Sequence, residues 1–192
     1  MDQSIKENFG KLYVKFGLIN LLYNNAVHCD LHSGNLFFYK NQDSLLIPQY
    51  QLGLIDFGIC SFPSKENQNI YYTFFVEVIL NKNYSVIESM LKGIINEKEN
   101  YDLLNNHEKI IFKNNCIKCF EMFALKDLDI NFLFDLGKIF KKYKFTFTQE
   151  FHEIIMSCCM VNNLAKKLCS DFNKTQKEAI IELTQINTIF EI

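Results

Sequence analysis

Apolar residues near the start of the chain recur at alternating steps of four and three: Ile5, Phe9, Leu12, Phe16, Ile19 and Tyr23 form one stripe. That period predicts an amphipathic helix. Ser4-Ile5-Lys6-Glu7 has the form of a capping box, in which Ser4 bonds the backbone N–H of Glu7 and Glu7 reaches back. Asn24-Asn25 marks its end. The texture then changes. Val27-His28 reads as short and extended, Cys29 to Asn35 as a polar loop, and Leu36-Phe37-Phe38-Tyr39 as a strand. Lys40 to Gln49 reads as a polar connection, and Tyr50 to Ile55 as a second strand that ends in Asp56-Phe57-Gly58. Two short strands around a turn form a hairpin, which brings the 28–35 and 56–58 loops to the same end.

From Glu66 onward the helical period returns, with helices expected near 66–80, 84–96, 106–125, 131–143, 148–170 and 174–190. The fifth has the clearest face: Phe151, Ile154, Ile155, Cys158, Val161, Ala165 and Leu168. The pattern predicts a mainly α chain with a small β-hairpin, an α+β arrangement. No linker divides residues 1–192, so a single domain is expected, with its polar loops in 26–60 and a helical subdomain over 66–190.

Composition sharpens this in three places. With 192 residues the chain is long enough for a full hydrophobic core, and only seven Gly and two Pro leave little room for irregular stretches. The formal net charge of −2 gives no basis for a nucleic-acid partner, and all twenty basic residues are lysine. The absence of arginine removes the side chain best suited to bidentate phosphate recognition. Cys29, Cys60, Cys116, Cys119, Cys158, Cys159 and Cys169 are odd in number and scattered, which is not a disulfide framework. The N-terminus does not read as a signal peptide, and the apolar runs are far shorter than the ~20 residues that span a bilayer. The expectation is a soluble, intracellular, cytoplasmic protein with no transmembrane segment.

The chemistry is concentrated in His28-Cys29-Asp30-Leu31-His32-Ser33-Gly34-Asn35 and in Leu54-Ile55-Asp56-Phe57-Gly58. Phosphoryl transfer needs a carboxylate to take or orient the acceptor proton, and hard oxygen ligands for Mg²⁺ on the phosphates. Protein kinases place an Asp, four residues and an Asn in one loop, followed later by Asp-Phe-Gly. Asp30 and Asn35 have that spacing, and Asp56 opens the second motif, with Gly58 expected to allow the turn that aims it. Neither motif is specific alone. In order, each at the end of an apolar strand, they are.

The pattern His-x-Asp-x-His-x-Gly-Asn followed by Asp-Phe-Gly resembles the catalytic and metal loops of the UbiB/ADCK family of atypical, coenzyme Q-associated kinases. The resemblance covers roughly residues 5–95. It implies the C-terminal lobe of a protein-kinase-like fold, with Asp30 as catalytic base, Asn35 and Asp56 as Mg²⁺ ligands, and His32 in reach of a phosphate of ATP. Family loops carry prolines where this chain has Leu31 and Ser33, and an alanine where it has Cys29, so this loop is less rigid by sequence. The family's Lys-x-Gly-Gln helix, alanine-rich nucleotide loop, strand lysine and partner glutamate have no counterpart in these 192 residues, so the expectation is a C-lobe without its N-lobe. The resemblance leaves three functions open. They are a phosphotransferase or ATPase whose N-lobe is supplied by another chain or by an upstream coding segment, a non-catalytic pseudokinase that binds a partner or itself, and a small-molecule phosphotransferase of the aminoglycoside/choline type.

Other residues have plainer readings. His28 is expected to pack and to bond backbone beside the loop. Cys116-Ile117-Lys118-Cys119 has only the vicinal pair Cys158-Cys159 to complete a zinc site, so buried thiols are the expectation. His107 and His152 read as ordinary helix residues. Lys138, Lys141, Lys142 and Lys144 read as a solvated helix end.

Overall fold

The computed structural model describes residues 2–41, 49–126 and 130–190; side chains at 123–126, 130, 184 and 186–190 also lie outside the description. Most of the polar connection expected between the hairpin strands falls at 42–48, outside the described residues. In chain order the elements are α1 (Gln3–Leu22), β1 (Val27–His28), a 3-10 turn (Ser33–Asn35), β2 (Leu36–Lys40), β3 (Tyr50–Leu54) and β4 (Cys60–Ser61). Then come α2 (Lys65–Tyr72), a wider π-helical run (Thr73–Leu80), a 3-10 turn (Tyr84–Val86), α3 (Ile87–Ile94) and α4 (Lys98–Leu103). The last four are α5 (Asn106–Lys126), α6 (Ile130–Lys142), α7 (Gln149–Leu168) and α8 (Phe172–Phe190). The fold is mainly α with small antiparallel sheets, as the pattern predicts. β4, which pairs with β1, and the six-residue α4 are additions that residue patterning does not reveal. Two-residue strands and single-turn helices carry too few positions to show a period.

The chain forms two compact units, Met1–Phe62 with Ser157–Ile192, and Pro63–Met156. The first unit holds both sheets, α1, α8 and the second part of α7. Its opening differs from the capping-box expectation. Asp2 caps α1, its Oδ1 accepting the N–H of Ser4 at 3.2 Å, while Glu7 accepts a 2.6 Å bond from the Ser170 hydroxyl. A carboxylate at the N-cap also meets the positive end of the helix dipole, which a hydroxyl at Ser4 does not.

The buried face of α1 is also rotated from the expected stripe. Phe9, Gly10, Tyr13, Val14, Leu18, Leu21 and Leu22 are buried, whereas Ile5, Leu12, Phe16, Ile19 and Tyr23 are only half-buried. The helix is apolar on more than one side, and two close approaches select the inner one. A Cβ on Gly10 would overlap Cys169 Sγ and stand 3.1 Å from Leu168 Cβ, and one on Gly17 would touch Val161 at 3.4 Å. Tyr23 adds a hydroxyl bond to Leu183 O at 3.0 Å. Lys11–Glu178 and Lys15–Glu182 bridge α1 to α8 at the surface, where such pairs contribute little.

β2 and β3 pair antiparallel, with Leu36 opposite Leu54, Phe38 opposite Leu52 and Lys40 opposite Tyr50. That face lies on α1: the Phe9 ring sits 4.8 Å from Phe38 and edge-on to Tyr50 at 5.3 Å. The period-2 alternation puts Phe37, Tyr39, Gln51, Gly53 and Ile55 on the other face. Phe37, Tyr39 and Ile55 are exposed there.

The second unit is built on aromatic packing. Phe74 meets Phe75, Phe120 and Phe151 edge-on, and Phe112 joins Tyr101, Phe140 and Phe145 in a second cluster. Phe74, Tyr101, Phe112, Phe120, Phe140 and Phe151 are each at most 1 % exposed. Cys116 and Cys119 are buried here, with the Cys119 thiol pushed up to about 11 by burial. Buried thiols of that kind are poor metal ligands and poor nucleophiles. Among the described residues no three His, Cys, Asp or Glu side chains form a metal-holding group. His107 and His152 are exposed on helix faces, and Lys141 and Lys142 close the last turn of α6. No helix among the described residues is long and apolar enough to cross a membrane.

Candidate functional site

The site is assembled in the first unit, where β1 and the 3-10 turn hold the 28–35 loop and β3 and β4 bracket residues 55–59. The two segments are tied directly. Cys29 N–H donates to Ile59 O at 2.9 Å, Ile55 N–H donates to Asn35 O at 3.1 Å, and His28 pairs with Cys60. The hairpin therefore brings the residue before Asp56 onto the backbone of Asn35.

Within the loop, hydrogen bonds enclose Asp30. Its N–H donates to His28 Nδ1 at 3.2 Å, and its carbonyl accepts from His32 N–H and from Asn35 Nδ2, both at 3.0 Å. Asn35 is 6 % exposed, and its Nδ2 also stands 3.5 Å from Asp30 Oδ2. With the amide nitrogen bonded inward, the amide oxygen is the end left to meet a ligand. The Asp30 carboxylate remains half-exposed.

His32 is folded back over its own loop. Its Nδ1 accepts the Gly34 N–H at 3.0 Å, which makes Nε2 the protonated nitrogen of the neutral ring, and Nε2 stands 3.7 Å from Asp30 Oδ2. That distance is too long for a hydrogen bond, and it makes an ion pair only when the ring is protonated. The ring is otherwise exposed. His28 is buried as expected; besides its bond to Asp30 its Nε2 has no partner among the described residues, and its ring lies 5.4 Å from that of Phe57.

Asp56 itself adopts the left-handed conformation, φ 58°, and Gly58 does not: no described glycine has positive φ. This corrects the expectation that Gly58 supplies the turn. Asp tolerates the region because its short carboxylate bonds locally, and here Oδ1 accepts the Gly58 N–H at 3.0 Å. Gly58 contributes space instead, since a Cβ there would crowd Asp56 Oδ1 at 3.0 Å. Asp56 is otherwise exposed.

Two side-chain hydroxyls from outside both motifs also bond the loop. The Tyr13 hydroxyl donates to Leu31 O at 2.7 Å, and the Ser157 hydroxyl donates to His28 O at 2.8 Å. Sequence reading finds neither: Tyr13 sits in an apolar helix and reads as core, and Ser157 interrupts an apolar face with nothing to name its partner.

Residues 2–91, just under half of the chain, match the family of ABC1 atypical kinase-like domains, in agreement with the UbiB/ADCK resemblance of the loops they contain. No curated protein and no solved structure matches the chain.

Proposed function

We propose, with residues 2–91 as an ABC1 atypical kinase-like segment, that this loop pair serves ATP-dependent phosphoryl transfer or ATP hydrolysis. Asp30 is the catalytic base. It takes the proton of the acceptor hydroxyl as that oxygen bonds the γ-phosphorus and the bond to ADP breaks. Asn35 and Asp56 are the Mg²⁺ ligands, and His32 reaches a phosphate oxygen. The donor set fits the metal: an amide oxygen and a carboxylate oxygen are hard ligands, and Mg²⁺ completes its shell with water and phosphate. A bound Mg²⁺ neutralises charge on the phosphates. The observation that supports the reading is the Asn35 Nδ2 bond to Asp30 O, which joins the two residues in one loop, while the Ile55–Asn35 bond ties the residue before Asp56 to the same loop.

Manganese tests it. Mn²⁺ added with ATP is expected to broaden the amide resonances of Asn35 and Asp56, and Asp56→Ala to abolish that broadening while the exposed His152→Ala does not. Broadening scattered over surface carboxylates and indifferent to Asp56→Ala would overturn the metal site.

A second reading is a binding module, and one observation favours it. Phe37 and Tyr39 are 57 % and 59 % exposed on the free hairpin face, and Phe57, Ile59 and Phe62 are exposed in the segment that follows. Clustered apolar exposure of this kind marks interaction surfaces. In that case the chain acts by association, with an N-lobe-supplying chain, another protein or a second copy of itself. Sedimentation of wild type against Phe37→Ser/Tyr39→Ser separates this from a self-sufficient enzyme.

A further inference from the structure

Backbone bonds tie the two ends of the 28–35 loop, Cys29 to Ile59 and Asn35 to Ile55, but between those ends the bonds within the loop are short-range, so its middle can still shift. Leu31 and Ser33 leave it more freedom still than prolines would. Two buried hydroxyls from outside stop that motion. Tyr13 is fully buried, and its hydroxyl holds Leu31 O at 2.7 Å, one residue after Asp30. Ser157 is 3 % exposed, and its hydroxyl holds His28 O at 2.8 Å, two residues before Asp30. The anchors come from two helices distant in sequence, and they bind the peptide groups on either side of the proposed base.

We infer that Tyr13 and Ser157 are positioning residues that fix the frame in which Asp30 and Asn35 face the acceptor and the metal. This inference rests on the reading of Asp30 as base. The physical case is that both hydroxyls are solvent-excluded, so a carbonyl released from either has no water to replace the bond, and the loop must shift to find another partner. Asn35 Nδ2 follows, because its own acceptor is Asp30 O. Leu31, 2 % exposed, pins the loop at one point, but an apolar side chain packed in a pocket resists rotation less than a directed bond does.

The test uses the full chain with no metal or nucleotide, so it stands apart from the phosphotransfer reading. Tyr13→Phe and Ser157→Ala each remove one hydroxyl and leave the packing in place. Exchange of the Asp30, His32 and Asn35 amide protons is expected to speed up roughly tenfold or more in each, with α8 amides within about twofold of wild type. The side-chain NH₂ resonances of Asn35 are expected to move toward free-amide positions, a signature that general loosening of the core does not produce. Unchanged loop exchange and unchanged Asn35 resonances in both variants would overturn the inference, and so would a loss of protection spread evenly over the chain. If the loop signature appears while Mn²⁺ with ATP fails to reach Asn35 and Asp56, the anchors stand and the phosphotransfer reading falls.

Discussion

A Cβ on Gly34 would stand 2.9 Å from Cε1 and 3.0 Å from Nδ1 of His32, so the folded-back ring exists because residue 34 has no side chain. The Gly34 N–H that bonds Nδ1 is part of the same contact. Gly34→Ala is expected to expel the ring from the loop, breaking that bond and moving Nε2 away from Asp30. The ring is exposed, so its loss is expected to leave overall stability within about 1 kcal/mol. Imidazole carbon and nitrogen shifts of His32 read the change: neutral-tautomer signals fixed on one form in wild type, averaged in the variant.

Gly10→Ala sets two effects against each other. Alanine gains about 0.5–1 kcal/mol of helix propensity over glycine. Its methyl would strike Cys169 Sγ and crowd Leu168 Cβ, both buried, and overpacking of this kind costs about 1–3 kcal/mol. The clash is expected to win, giving a lower denaturation midpoint. Equal or greater stability in a urea titration would mean that the end of α7 and Cys169 just beyond it give way freely.

Tyr101→Phe is expected to run the other way. The ring is fully buried against Phe112 and Phe145, and its hydroxyl makes no short hydrogen bond among the described residues, interacting with the Glu88 carboxylate only at longer range. Removing a buried hydroxyl that lacks a short bond while keeping the ring is expected to be neutral or stabilising by up to about 1 kcal/mol. Lys92 and Lys109 over the ring retain an aromatic face in the variant. A thermal melt that falls by several degrees would show the hydroxyl to be bonded in solution.

Glu97 predicts an acid response of the second unit. Its carboxylate accepts the Thr146 N–H and the Thr146 hydroxyl, each at 2.7 Å, and those bonds hold its pKa below the usual 4.5. A folded value below the unfolded one means that the contribution is present above about pH 4.5 and is lost as pH falls through the folded value. Glu97→Gln is expected to lower stability at pH 7 and to flatten its dependence on pH below 4.5. Urea titrations at pH 7 and pH 3 measure both.

Residue order alone determined the longer helices and the β2–β3 hairpin, because long apolar periods and a two-strand hairpin are local patterns, but not β4 or α4. It also determined that Asp30, Asn35 and Asp56 are the residues to watch, because their spacing is a property of the chain. Tertiary structure decided the rest. The buried side of α1 could not be read, since the helix is apolar on several sides and the choice follows from where Gly10 meets Cys169, 159 residues later. The turn at Asp56 could not be read either: glycine is the usual candidate for a left-handed backbone, yet the β3 exit and the Asp56–Gly58 bond place that conformation on the aspartate. Tyr13 and Ser157 were invisible for the same reason, since a hydroxyl in an apolar helix names its partner only when folding brings a distant carbonyl to it.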